Sequence, residues 1–224
     1  MLTITEKWKT TYPGASVGIL VMKGVANPKS HPELDAIKAA VEAQLRAQYG
    51  DLDRAALRET SPLKAYHAYY KNFKKTYHVQ LQLESIVHKG RSIPNVAALV
   101  EGMFTAELKN QMLTAGHDLD IVQRPLSINV AEGNETFTRL NGQEQQLKAG
   151  DMFIADVEGI LSSVIYGPAR RTAINPNTKQ ALFTIYAPPG ISEETVAAHL
   201  TDIESYVKVI APQAKTGTLK VYCA

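Results

Sequence analysis

Cysteine is almost absent from this chain: one thiol, Cys223, stands next to the last residue. A single cysteine excludes an internal disulfide and a thiolate metal cluster, and it fits a reducing cytoplasm. Long apolar runs are missing too. None approaches the ~20 residues that a membrane-spanning helix needs, and the longest, Ala15 to Met22, has the length of a strand. Met1 to Trp8 lack a basic region leading into an apolar stretch, so no secretory signal is expected. Charge of neither sign dominates. Charged residues make up 21% of the chain and the net charge is +2, so composition alone argues for neither an acidic tail nor a nucleic-acid-coating protein. There is no glycine-rich phosphate loop ending in Lys-Ser/Thr, no His-Glu-x-x-His pair and no Gly-x-Ser-x-Gly turn. The six histidines, His31, His67, His78, His88, His117 and His199, lack metal-ligand spacing, so neither metal nor cofactor is expected.

What remains is a globular chain. Its 224 residues, 45% of them apolar, suffice for one sizeable core and would be cramped as two, so residues 1–224 are expected to form a single domain. Val and Ile in Ala15 to Met22, closed by Gly24, predict a buried strand. Pro28 to Pro32 is a breaker cluster in which Ser30 can cap a helix, with Pro32, Glu33 and Asp35 suited to its first turn. Leu34, Ile37, Val41 and Leu45 then recur at helical spacing as far as Tyr49. Residues 51–115 read as further helices, over about 63–75, 80–88 and 96–112.

After Gly116 the pattern changes. Strands are expected at 127–130, 135–140, 152–155, 160–166 and 180–187, with turns at Asn141-Gly142 and Asn175-Pro176-Asn177. Ser192 begins a last helix to about Ile210, and 216–222 can be a final strand. A helical first half and a strand-rich second half predict an α+β fold, a mixed sheet with helices packed on it.

Three features can carry chemistry. His117 follows Gly116 where a long helix gives way to strands, and Asp118 and Asp120 stand close enough to orient its ring. A histidine at a helix end can equally serve only to bond the last carbonyls. Secondly, residues 61–91 hold six cations, Lys64, Lys71, Lys74, Lys75, Lys89 and Arg91, against the single acid Glu84, a net of +5. Tyr66, Tyr69, Tyr70, Phe73 and Tyr77 are interleaved with them, which suits a phosphate backbone with unstacked bases. The same pattern suits a solvated face whose aromatics turn into the core. Arg170-Arg171 adds a smaller basic pair. Thirdly, Ser162 and Ser163 interrupt an apolar strand, where hydroxyls can line a pocket or face water at an edge.

Three stretches in order resemble the editing domain (modules B-three and B-four) of the phenylalanyl-tRNA synthetase beta subunit. They are Arg91-Ser92-Ile93-Pro94 with Leu99-Val100-Glu101, then Gly116-His117-Asp118-Leu119-Asp120, then the run from Leu147-Lys148-Ala149-Gly150-Asp151 through Ile154-Ala155-Asp156 to Asn177-Thr178 and Ala181-Leu182-Phe183. The resemblance covers roughly residues 60–190.

It implies a three-layer domain with a largely antiparallel sheet. The implied activity, exerted in trans, is hydrolysis of the ester between a wrong amino acid and the tRNA 3′ end. His117 takes the place of the editing histidine, Glu101, Ser162, Ser163, Tyr166 and Thr184 line the amino-acid pocket, and Lys71, Lys74, Lys75, Arg170 and Arg171 face the tRNA. An aminoacyl ester is already activated, so a positioned water suffices and no triad is needed. The departures narrow this. The family's Asp-x-Thr-Asn is here Glu101-Gly102-Met103-Phe104, and its Gly-Gly-Glu stretch aligns with Pro168-Ala169-Arg170. The glutamate that accepts a tyrosine hydroxyl is Thr184, so tyrosine specificity is not expected. Nothing resembles an ATP-binding synthetase core. Two other readings fit the same residues: a tRNA or amino-acid binding module without turnover, and a hydrolase of small esters or amides.

Overall fold

The computed structural model describes Leu2–Ala224. The chain opens with β1 (Leu2–Ile4) and α1 (Glu6–Thr11), then β2 (Ser16–Lys23) and α2 (Pro32–Tyr49). Four shorter helices follow: α3 (Arg54–Glu59), α4 (Leu63–Asn72), α5 (His78–Lys89) and α6 (Ala98–Asn110). The strands β3 (Thr114–Asp118), β4 (Leu126–Val130), β5 (Thr136–Thr138), β6 (Glu144–Gln146), β7 (Met152–Asp156), β8 (Gly159–Ser163) and β9 (Gly167–Pro168) come next. Then come β10 (Gln180–Ala187), α7 (Glu193–Ile210) and β11 (Lys215–Cys223). No helix among the described residues is long and apolar enough to cross a membrane.

The expected α+β class is correct. One sheet runs β11-β2-β10-β3, antiparallel throughout; a second runs β1-β4-β7-β8-β9, antiparallel except for the β1–β4 pair; β5 and β6 form a hairpin. The β5–β6 turn lies at Asn141-Gly142, where Gly142 takes a φ of 83° that glycine tolerates without strain. Ser192 caps α7 as expected, accepting from the Thr195 amide at 3.2 Å. Ser30 does not cap α2. The helix starts one residue later, behind His31, which offers no side-chain cap, with Pro32 fixing the first turn.

Alternation in β10 sorts its side chains into two layers. Ile185 faces α7, where Gly18 of β2 sits beneath Val196 and Leu200. Tyr186 points the other way, and its hydroxyl accepts from the Ile154 amide of β7 at 3.1 Å and donates to the Ser162 carbonyl of β8 at 3.0 Å. The order is therefore helices, first sheet, second sheet, with the core on both faces of β10. Gly18 is required by closeness: a Cβ there would stand 2.8 Å from Val196 Cγ1. Gly18→Ala is expected to push α7 off β2 and cost about 1–3 kcal/mol in urea unfolding.

Candidate functional site

The expected helix over 96–112 ends early, and the reason shapes the site. Gln111 turns into the left-handed region with φ 57°, its amide closing onto Glu107, and Tyr77 donates to its carbonyl at 3.2 Å. Met112 and Leu113 then lead straight into β3. Tyr66 fastens this junction by accepting from the Leu113 amide at 3.0 Å while donating to the Tyr186 carbonyl at 2.6 Å. Tyr66 and Tyr77 stack at 4.3 Å, and Tyr69, Tyr70 and Phe73 are buried beside them. These aromatics are core, so the second reading of the basic stretch holds for its rings. Lys71, Lys74 and Lys75 remain exposed on the outer side, whereas Lys64 pairs with Glu59 at 2.9 Å.

Along β3, the outer strand of its sheet, lies a cavity of about 450 Å³. Val100, Met103 and Phe104 of α6, with Leu113, Ile174 and Pro168, give it mainly apolar walls. Its polar groups are few: His78, Gln82, Glu107, Thr114, Ser163 and Tyr186.

Glu107 is the acid among them and is fully buried; burial in these apolar walls raises its pKa to about 8, against which the Thr114 amide at 3.0 Å is a smaller, opposing effect. His78 stands at the mouth, Nδ1 3.4 Å from the Tyr70 hydroxyl. Loss of hydration against its neighbours holds its pKa below the usual histidine value although part of the residue faces solvent.

His117 is not where a junction loop would put it. It belongs to β3, is wholly buried, and points between the two sheets rather than into the cavity. Its Nδ1 lies 3.0 Å from Thr172 Oγ1 and its Nε2 3.2 Å from Ser162 Oγ, which in turn lies 2.7 Å from the Tyr186 hydroxyl. Burial first, and Arg171 second, lower its pKa to about 3, so the ring is neutral at physiological pH. Asp118 does not orient it. That carboxylate accepts from Asn175, Thr178 and the Asp120 amide, holding the 175–178 turn.

The remaining sequence candidates divide. Ser163 lines the cavity and accepts from the Tyr166 amide at 3.1 Å. Tyr166 is half-buried beside it, its ring 5.9 Å from Lys75 Nζ, and shares an adjoining hollow of about 250 Å³ with Leu140 and Pro168. Ser162 and Thr184 lie behind the wall; Thr184 donates to the Ala115 carbonyl at 3.4 Å. Glu101 faces α2, where Lys38 reaches it at 2.6 Å, and is outside the cavity lining. Arg170 is exposed, while Arg171 is engaged with Asp156 at 3.2 Å and with the Gly159 carbonyl at 2.9 Å. Among the described residues no three His, Cys, Asp or Glu side chains stand together as a metal site.

Glu107, His78 and Tyr186 were not singled out in the sequence. For Glu107 a signal existed: Val100, Met103, Phe104 and Glu107 share one helical face, an acid inside an apolar stripe.

Three comparisons bear on this arrangement. The family model described as the B3/4 domain matches residues 63–206, extending past the 190 at which the motifs stop. A stretch of 69 residues is 29% identical to the phenylalanine–tRNA ligase beta subunit of Mycoplasma genitalium, covering 31% of this chain and 9% of that protein. The fold is similar to an N-terminal fragment of the phenylalanyl-tRNA synthetase beta-subunit from Pyrococcus horikoshii, with a TM-score of 0.50 and 13% identity. That match covers 96% of this chain and 50% of the fragment, so this chain spans about half its length.

Proposed function

Because this chain belongs to the B3/4 domain family, we propose that it is an editing-type aminoacyl-tRNA deacylase acting in trans in the cytoplasm. The observation that carries this reading is the apolar cavity along β3, of a size to enclose an amino-acid side chain, with a few polar groups at its walls. The ester carbonyl would lie toward the mouth, where a water can attack it and the ribose hydroxyl leaves. His78 stands at the mouth, where its ring can accept a hydrogen bond from that water and help to place it. Ser163 supplies a hydroxyl among the lining residues, while the Tyr186 hydroxyl is engaged behind the wall by Ile154 and Ser162. His117 acts in this scheme as a positioning residue, holding Ser162 and through it Tyr186. Glu101 and Thr184 support the walls. Tyr166 stands beside Lys75, and Lys71, Lys74, Lys75 and Arg170 are exposed cations able to meet the phosphates of the tRNA end.

Purified protein offered a panel of mischarged tRNAs, non-protein amino acids included, is expected to release the amino acid from at least one. His78→Ala should slow that release by roughly tenfold or more. Lys71→Ala with Lys75→Ala should weaken tRNA binding and flatten its dependence on log salt by roughly 1.5–2. No release from any member of the panel overturns the deacylase, and salt-dependent binding without release would leave a tRNA-binding module in its place.

A further inference from the structure

The cavity has a charge character that the proposed reaction does not use. Glu107 is the one acid on its lining, and no lysine or arginine lines it. Oε1 is occupied by the Thr114 amide, while Oε2 meets no hydrogen-bond donor among the described residues. Glu107 lines the cavity with 1% of its surface exposed, so a ligand that meets its unpaired oxygen must come through the cavity. An oxygen left without a donor on a cavity wall is free to accept from a ligand that enters.

Resting on the deacylase reading, we propose that Glu107 is the subsite for the primary amine of the bound amino acid, whose apolar side chain fills the cavity and whose carboxyl must be esterified or amidated. The walls exclude most polar side chains, because Val100, Met103, Phe104, Leu113 and Ile174 offer no hydrogen bond. An ammonium beside Oε2 meets its opposite charge in surroundings of low dielectric, where the attraction is strong. A free carboxylate has no cation on the lining to meet and must be desolvated without return. The pocket therefore favours the ester over the free acid left by hydrolysis, which helps the product depart.

Protons balance in this arrangement. The empty pocket holds a neutral Glu107, which avoids a lone buried charge. When an ammonium enters, the carboxyl proton leaves to solvent; when a neutral amine enters, that proton moves onto the amine.

The test uses stable amides and needs no tRNA. Binding of L-phenylalaninamide, L-leucinamide and L-methioninamide is measured by calorimetry beside their N-acetyl forms and the free amino acids. At least one amide is expected to bind, and both acetylation and removal of the amide cap should weaken it by about tenfold or more. Glu107→Gln keeps an oxygen for the Thr114 amide and nearly the same volume, yet presents N–H groups instead of an anion. It should lose the amide to the same degree and no longer distinguish it from the acetylated form.

The proposal is overturned if no amide binds, or if acetylated and free amides bind alike. Unchanged affinity in Glu107→Gln also overturns it, since a neutral donor to a ligand carbonyl would survive that exchange. Should the variant fail to fold, the acetylation series on the natural protein still decides. Acetylation-sensitive binding without hydrolysis of any mischarged tRNA would remove the deacylase and leave the amine subsite; hydrolysis with acetylation-insensitive binding would do the reverse.

Discussion

Glu101→Ala is expected to lower the stability of the protein by about 3–5 kcal/mol, the largest effect of any single change considered. Glu101 is 1% exposed, and its Oε2 accepts from Lys38 Nζ at 2.6 Å while Oε1 accepts from the Val96 amide at 2.7 Å. Removing the carboxylate leaves a lysine whose side chain is 6% exposed with only Asn95 and Asp35 for company, and Asp35 is 3.3 Å away and half in solvent. It also orphans a backbone N–H at the entry to α6. Urea unfolding at constant slope should show the midpoint fall. Replacing both partners by apolar residues, Lys38→Met with Glu101→Leu, should recover much of the loss, because no charge is then left alone in the core. The folded fraction of Glu101→Ala should bind amides as the natural protein does. A weaker affinity with unchanged stability would place Glu101 in the pocket after all.

That residue illustrates how much of the site was legible. The family resemblance implied a place for it in the amino-acid pocket, but its partner comes from α2, 63 positions earlier, and no local pattern announces such a pairing. His117 teaches the same point. The motif around it marks the place where the cavity lies, yet the ring's environment is set by Thr172 and Ser162, 55 and 45 residues away. β3 itself was missed because Thr114 to Asp118 alternates weakly, and it is a strand only because β10 pairs with it. The tyrosines of α4 looked equally suited to bases or to a core. Burial decided: Tyr66 fixes the α6–β3 junction against β10, while Tyr69 and Tyr70 bond to Asp151 and to the Val164 carbonyl. Elements that satisfy themselves locally, such as α7 with its Ser192 cap and the Asn141-Gly142 turn, were readable in full. Glu107 was not singled out, although it shares a helical face with Val100, Met103 and Phe104, because its consequence depends on an empty volume beside it.

That consequence should appear in how stability changes with pH. Glu107 ionises near 4.5 when unfolded and only near 8 when folded, because burial disfavours its charge. Between those values the unfolded chain has released a proton that the folded one keeps. Stability therefore falls as pH rises across this window, by up to about 1.4 kcal/mol per pH unit for one proton. Asp151, raised by burial from 3.8 to about 7, acts in the same direction over a lower range. His117 and His199, lowered by burial from 6.5 to about 3, act oppositely: the unfolded chain takes up their protons below 6.5, so stability falls as pH drops. His78, lowered to about 4, and the more exposed His67 act on the histidines' side, so from 4.5 to 6.5 the histidines outweigh the two acids, and above 6.5 the acids act unopposed. The tyrosines around Glu107, Tyr66, Tyr70 and Tyr77, all titrate above their ordinary value of 10 and stay neutral throughout. The expected profile rises gently to about pH 6.5 and declines from there to about pH 8. Glu107→Gln cannot ionise, so its stability relative to the natural protein should climb steadily between pH 5 and 8 and level off above. Urea midpoints at pH 5.5, 7 and 8.5 measure the gap. A gap that does not change with pH would mean that Glu107 is already charged at neutral pH, and the carboxyl would then have found a partner in the cavity that this fold does not supply.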